Sequence, residues 1–324
     1  MTTYETVIDG IIDKSVQQGQ TGDCWLLSAI LALNSSKNGK KIIKNSIEVQ
    51  ENNDVVVRFN GLKYDNGEIV SYTIPENEIF ANLHSSKYSK GDIDLLVFEL
   101  AVNRLEHDIY MQSLIPAEET EEETETPEAA EPKIVIPKNI ATYKTNPETN
   151  GMSYIEGGYS ERLLFFLTGI VPEVKEADFQ KVIKSDGECF SGLSFPEVAN
   201  ILNKYAREDF AITFSLYPDL DNLIREKRGW CSIHKRIDLN RKLFTLHLPI
   251  GNIKFEDDVP MIDISSANKF GGHCLYITQI DIEKRTVTIA NPQNSEEEFT
   301  FSWNGFVNMG VFSITSIAIK ESED

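Results

Sequence analysis

The chain has 324 residues and a mass of 36.6 kDa, a length that suits about two domains or two lobes. Hydrophobic residues make up 41% and aromatic residues 10%, which supports a real core and excludes a wholly disordered chain. The 31 Lys and Arg against 51 Asp and Glu give a net charge of −20, which excludes the clustered basic surface that nucleic acid or an anionic membrane requires. No apolar run approaches the ~20 residues that cross a bilayer. The opening MTTYETVIDGIIDKS has neither the basic patch nor the apolar block of a secretory leader, so a cytoplasmic protein is expected. Cys24, Cys189, Cys231 and Cys274 are too few for a disulfide framework and suit a reducing compartment.

Residues 24–33, CWLLSAILAL, read as a helix entered through Gly22 and Asp23, with Asp23 a candidate cap. Residues 54–59 and 69–74 are rich in Val, Ile and Tyr and flank Asp65-Asn66-Gly67, the pattern of a hairpin. Residues 92–105 carry apolar side chains at helical spacing. Residues 117–132 hold eight Glu and no base, within a looser stretch 111–150 that contains five prolines. Self-repulsion predicts an acidic, flexible surface insertion there. Residues 161–167 and 195–205 are again helix-like, with Pro196 suited to a helix start. Beyond Asp209 the texture turns to short strand-like runs: 211–216, 244–248, 261–264, 274–282, 286–290 and 311–319. The expected fold class is α+β, with a helical subdomain over 1–209 and a β-rich subdomain over 210–324 around a cleft.

The stretch Gln18-Gly19-Gln20-Thr21-Gly22-Asp23-Cys24-Trp25 carries the chemistry. A cysteine at a helix N-terminus sits at the positive end of the dipole, which favours the nucleophilic thiolate. Gln18 can offer a side-chain N–H beside the backbone N–H of Cys24, and the pair would form an oxyanion hole. A lone cysteine is usually inert packing, so the weight rests on the whole string. A base is then needed. His84, His107, His234 and His247 have no flanking signature. His273 follows Gly271-Gly272 and opens the strand-like CLYITQIDI. Asn291, at the end of TVTIA, can orient its ring. A turn centred on Ile282 sets Asn291 opposite His273, whereas one centred on Lys284 offsets them by four residues and requires a bulge. Cys274, Cys189 and Cys231 read as small core residues.

QGQTGDCW, GGHCLYIT and ANPQ resemble the Cys, His and Asn blocks of the calpain family of papain-like cysteine proteases, in that order along the chain. Residues 94–105, 157–169 and 298–319 are similar to further stretches of that protease core. The resemblance implies a papain-like fold and peptide-bond hydrolysis through an acyl-enzyme, on protein or peptide substrates. It implies Cys24 as nucleophile, His273 as general base and acid, Asn291 as its orienting partner and Gln18 as oxyanion donor. Trp25 matches a family residue and equally suits helix packing. The chain departs from the family in Asn291-Pro292-Gln293 for Asn-Pro-Trp, in Ser15 for an aspartate, and in the short path from Gln293 to Phe299. No cofactor is required by the sequence. Ca²⁺ finds few hard oxygen ligands beyond Glu161 and Glu296, Glu297 and Glu298. The pattern reads as an isolated, microbial-type protease core without EF-hand or C2-like domains. The alternatives are other acyl transfer on the same residues, such as transglutaminase or amidase chemistry, and a non-catalytic peptide binder.

Overall fold

The computed structural model describes residues 8–12, 15–114, 132–138, 140, 154–177, 193–216, 231–232, 253–256, 259–262, 273–308 and 311–320. The acidic run 117–131, Gly271-Gly272, Cys189, His234, His247 and the expected strand 244–248 lie outside these residues. The fold is mixed α+β.

Helix α1 (Cys24–Asn34) is apolar on every side, and every residue from Trp25 to Leu33 is buried. A helix with no polar face can only be stable inside the molecule. Around it stand α2 (Lys37–Ser46), α3 (Glu76–Asn82), α4 (Ile93–Ser113) and α5 (Ser160–Thr168). The same half holds a small antiparallel sheet of β1 (Ile47–Val49), β2 (Val55–Tyr64) and β3 (Ile69–Ile74), with β4 (Ile134–Val135) also on β2. The hairpin between β2 and β3 is the one expected around Asp65-Asn66-Gly67, and β2 runs longer than its apolar core because its register shifts between Phe59 and Lys63. Helix α4 continues to Ser113 and β4 pairs with β2, so regular structure reaches into the segment 111–150 on either side of the acidic run.

The second half is built on an antiparallel six-stranded sheet. Its elements are β5 (Glu173–Glu176), β6 (Phe210–Leu216), β10 (His273–Asp281), β11 (Thr286–Asn291), β12 (Asn294–Ser302) and β13 (Val311–Ala318), in the order β12-β11-β10-β6-β13-β5. One face of the sheet carries α6 (Phe195–Tyr205) and α7 (Trp303–Asn308). β5 and α6, although they precede Asp209, therefore pack with the β-rich half. A three-stranded sheet of β7 (Cys231–Ser232), β8 (Ile253–Glu256) and β9 (Val259–Ile262) completes the described strands.

Alternation along β10 sends its side chains into two different cores. Cys274 and Tyr276 join the core around α1, whereas Leu275 and Ile277 join the core beneath α6 and α7. The large sheet is thus a wall with an apolar layer on each face, and α1 presses on it through β10 and β6. No helix among the described residues is long and apolar enough to cross a membrane.

The core around α1 also holds one charged pair. Arg162 of α5 reaches Glu106 of α4 through Nε at 3.0 Å and Nη2 at 2.7 Å, with both side chains almost fully buried. The guanidinium also lies over the Phe166 ring, 5.2 Å from its centroid. Burial raises the Glu106 carboxyl, while Arg162 pulls it back down. Removing one partner would strand the other charge in an apolar layer. Glu106→Ala is expected to destabilise the fold by about 3–5 kcal/mol, read as a lower urea midpoint with unchanged slope.

Candidate active site

The site forms where three distant segments meet. The N–H of Gln18 donates to the Pro292 carbonyl at 2.9 Å. Beside it the Ser295 N–H and hydroxyl both donate to the Val16 carbonyl at 3.0 Å, and the Val16 N–H donates to Ser295 Oγ at 2.9 Å. The Gln17 N–H and carbonyl also exchange bonds with Lys90, so the segment before Cys24 is held on two sides. Gly19 is required here by closeness, because a Cβ would stand 2.3 Å from the Tyr88 carbonyl oxygen.

Cys24 opens α1 and is partly buried. Asp23 precedes it but makes no side-chain cap; its carboxyl turns inward and is fully buried. Helix α1 is pinned to β10 one turn further on, where Ser28 Oγ donates to the Cys274 carbonyl at 2.8 Å. The backbone N–H of Cys274, the residue after His273, reaches the Cys24 sulfur. Burial pushes the Cys24 thiol up to about 11, and the neighbouring Asp23 carboxylate adds to the rise. The N–H groups of Cys274, Trp25 and Cys24 pull the other way. The resting residue is therefore a thiol, contrary to the thiolate expected from the helix dipole, because loss of water outweighs the dipole. Burial likewise pushes the Cys274 thiol up to about 12, and its side chain sits in the core as a small apolar group.

His273 Nε2 lies 2.9 Å from Asn291 Oδ1. The same Oδ1 accepts the Gln293 N–H at 3.1 Å, and a backbone N–H can only donate. The atom facing His273 is therefore the amide oxygen, and Nε2 must carry the hydrogen. In the neutral ring Nδ1 then holds the lone pair.

The strand register explains how this pair meets. Near the turn Asp281 stands opposite Thr286 and Gln279 opposite Thr288; beyond a bulge, Ile277 faces Ile289 and Tyr276 faces Ala290. Continued one step, that register sets Asn291 across from Leu275, two residues from His273 and on the same face. Diagonal neighbours lie within side-chain reach. Had the turn's register run on without the bulge, Asn291 would stand opposite Tyr276 and point to the other core. The chain adopts neither of the two registers considered from the sequence: the turn alone would leave an offset of three residues, and the bulge reduces it to two.

The side-chain amide of Gln18 is engaged at Thr21 and at Asp23, the residue before Cys24. Nε2 donates to the Thr21 carbonyl at 2.9 Å and to Asp23 Oδ1 at 3.1 Å, while Oε1 is buried without a donor. Trp25 packs its indole under Gly158, where a Cβ would stand 2.4 Å away, and its Nε1 donates to the Ile155 carbonyl at 2.9 Å. His84 is exposed, and His107 is partly exposed with Nδ1 3.0 Å from Asp108 Oδ1. Glu99 was not among the residues singled out from the sequence, yet it lies in contact with Asp23. Its one signal was a charged residue in the apolar register of α4.

Glu161 stands half-buried at the start of α5 with Glu176 and Arg162 as its charged neighbours. Among the described residues no three His, Cys, Asp or Glu stand together.

The Asn291 bond fixes which ring nitrogen of His273 is protonated, and this is directly measurable. In Asn291→Ala the neutral His273 ring is expected to populate the Nδ1–H tautomer, seen as a change in its ¹⁵N shifts, whereas the wild-type ring holds Nε2–H.

No curated protein matches the chain. Residues 1–77 match the calpain family of cysteine proteases. The matched segment carries Gln18 and Cys24, and it supports the calpain-family resemblance and, at family level, a cysteine peptidase acting on peptides.

Proposed function

We propose that the protein is a papain-like cysteine endopeptidase, acting through Cys24, His273 and Asn291 with Gln18 as a side-chain oxyanion donor. The observation that carries this reading is the His273–Asn291 bond, formed where the backbone of β10 meets the Cys24 sulfur. The two halves of the chain supply opposite walls, Cys24 on α1 and His273 with Asn291 on β10 and β11.

A thiol raised to about 11 needs a base before it can attack. His273 Nδ1 takes the Cys24 proton as sulfur adds to the scissile carbonyl carbon. The N–H groups of Cys24 and Trp25 at the first turn of α1 offer donors for the oxygen that becomes negative. Gln18 joins them by turning Nε2 from one of its two present acceptors. The His273 imidazolium, steadied by Asn291 Oδ1, then protonates the leaving amine as the C–N bond breaks and a thioester remains. A water enters, His273 removes its proton, and the hydroxide it becomes releases the acid and restores the thiol. Asn291 holds the ring in one plane through each proton transfer. Substrates are accordingly proteins or peptides.

The test is digestion of an unfolded protein in reducing buffer, with Ca²⁺ and with chelator. Wild type is expected to cleave in both buffers and Cys24→Ala in neither. Gln18→Ala is expected to cost on the order of 10²–10³ in kcat. Cleavage by Cys24→Ala, or none by wild type, overturns the assignment. Incorporation of an added amine without shortening would assign another acyl transfer to the same residues.

A further inference from the structure

Behind Cys24 lies a polar cluster that the proposed reaction does not use. Asp23 and Glu99 are both fully buried, and their carboxyls are in hydrogen-bond contact. Glu99 projects from α4; each of its oxygens accepts the Ser89 N–H at 3.0 Å, and one also accepts the Ser89 hydroxyl. Asp23 Oδ1 accepts from Gln18 Nε2, but Asp23 Oδ2 is buried with no donor from any other group. A carboxylate offers only lone pairs, so two of them touch inside a protein only if a proton lies between them.

A structural ion pair would be the ordinary explanation, and it does not apply. None of the ion pairs formed among the described residues involves either carboxyl. The ionisable groups that couple to the pair include Cys24 of α1, Tyr88 from the segment after α3 and Glu156 from the segment before α5. None of them is a cation.

We propose that Asp23 and Glu99 share one proton, and that this acid–carboxylate pair, acting through Asp23 Oδ1, is the positioning device that holds the Gln18 amide beside Cys24. The amide is aimed wholly through its NH₂ group, since Oε1 has no donor. Rotating it by half a turn would press Oε1 against the Thr21 carbonyl and Asp23 Oδ1, both acceptors. Burial raises Asp23 to about 6 and Glu99 well above the usual carboxylate range. Between these two ionisations the pair keeps one proton. As pH rises past the second, two adjacent carboxylates repel, Asp23 withdraws and Gln18 loses an acceptor. Glu99→Gln keeps a donor for Asp23 Oδ2 and an acceptor for Ser89, but cannot ionise. Glu99→Leu keeps the volume and removes the donor.

Three measurements test this without using turnover, so their failure is separate from failure of the endopeptidase reading. In the infrared difference spectrum of wild type against Glu99→Gln at neutral pH, the carbonyl stretch of a protonated carboxylic acid is expected from wild type. In ¹⁵N–¹H spectra across pH, the Gln18 side-chain signals are expected to shift at the alkaline ionisation in wild type and not in Glu99→Gln. Glu99→Leu should speed solvent exchange of those amide protons by about tenfold or more. Absence of the carboxylic acid band, or an alkaline shift that persists in Glu99→Gln, overturns the proposal; neither requires Glu99→Leu to fold. The catalytic consequence rests on the endopeptidase reading: Glu99→Leu should lower kcat on the order of 10–100-fold with little change in KM, and Glu99→Gln should retain it.

Discussion

The structure depends on one short clamp between segments 279 residues apart, Val16 and Ser295, extended by the bond from Gln18 to Pro292. These bonds are between main-chain groups or to a buried serine, so they fix backbone positions and not merely side chains. They place the loop leading to Cys24 against the turn that follows Asn291. Everything proposed for the site requires that the two be held at that spacing. The sequence separation also makes the contact costly to form, because the loop closed is nearly the whole chain. The apolar burial of α1 against β10 and β6 offsets that cost.

Helix α1 joins stability to chemistry. Its apolar surround removes much of the water from the first turn, which strengthens the pull of the N–H groups there and at the same time penalises a thiolate. The penalty prevails, and Cys24 rests as a thiol. That outcome makes a base necessary and gives meaning to the defined tautomer of His273. The same dry setting penalises charge on Asp23 and Glu99, and a shared proton is the least costly arrangement of two acidic groups without a cation. The raised Cys24 thiol and the protonated acid pair behind it are therefore consequences of one environment.

The large sheet does its positioning through parity. A side chain's face depends on whether its offset is odd or even, so one bulged residue decides whether Asn291 meets His273 or points into the opposite core. Alternation at the same place sends Cys274 towards α1, where its carbonyl takes the Ser28 hydroxyl and anchors the helix to the strand that bears His273.

Much of this protein was legible in the sequence because the relevant physics is local. The apolar string after Cys24 could form nothing but a buried helix, and the runs around Asp65-Asn66-Gly67 and 274–290 could form little but hairpins. The blocks around Cys24, His273 and Asn291 marked the candidate chemistry by residue type and order. What the sequence left open was non-local. The hairpin register turned on a single bulge; β5 joined the later sheet through its main-chain pairing with β13, and α6 because its apolar partners lie downstream. Asp23 abandoned the helix cap for a buried contact with Glu99, and Gln18 committed its amide to Thr21 and Asp23. Residue type and periodicity fix what each segment prefers by itself. Which buried acid meets which, and how far a thiol is removed from water, are set only when segments distant in the chain are pressed together.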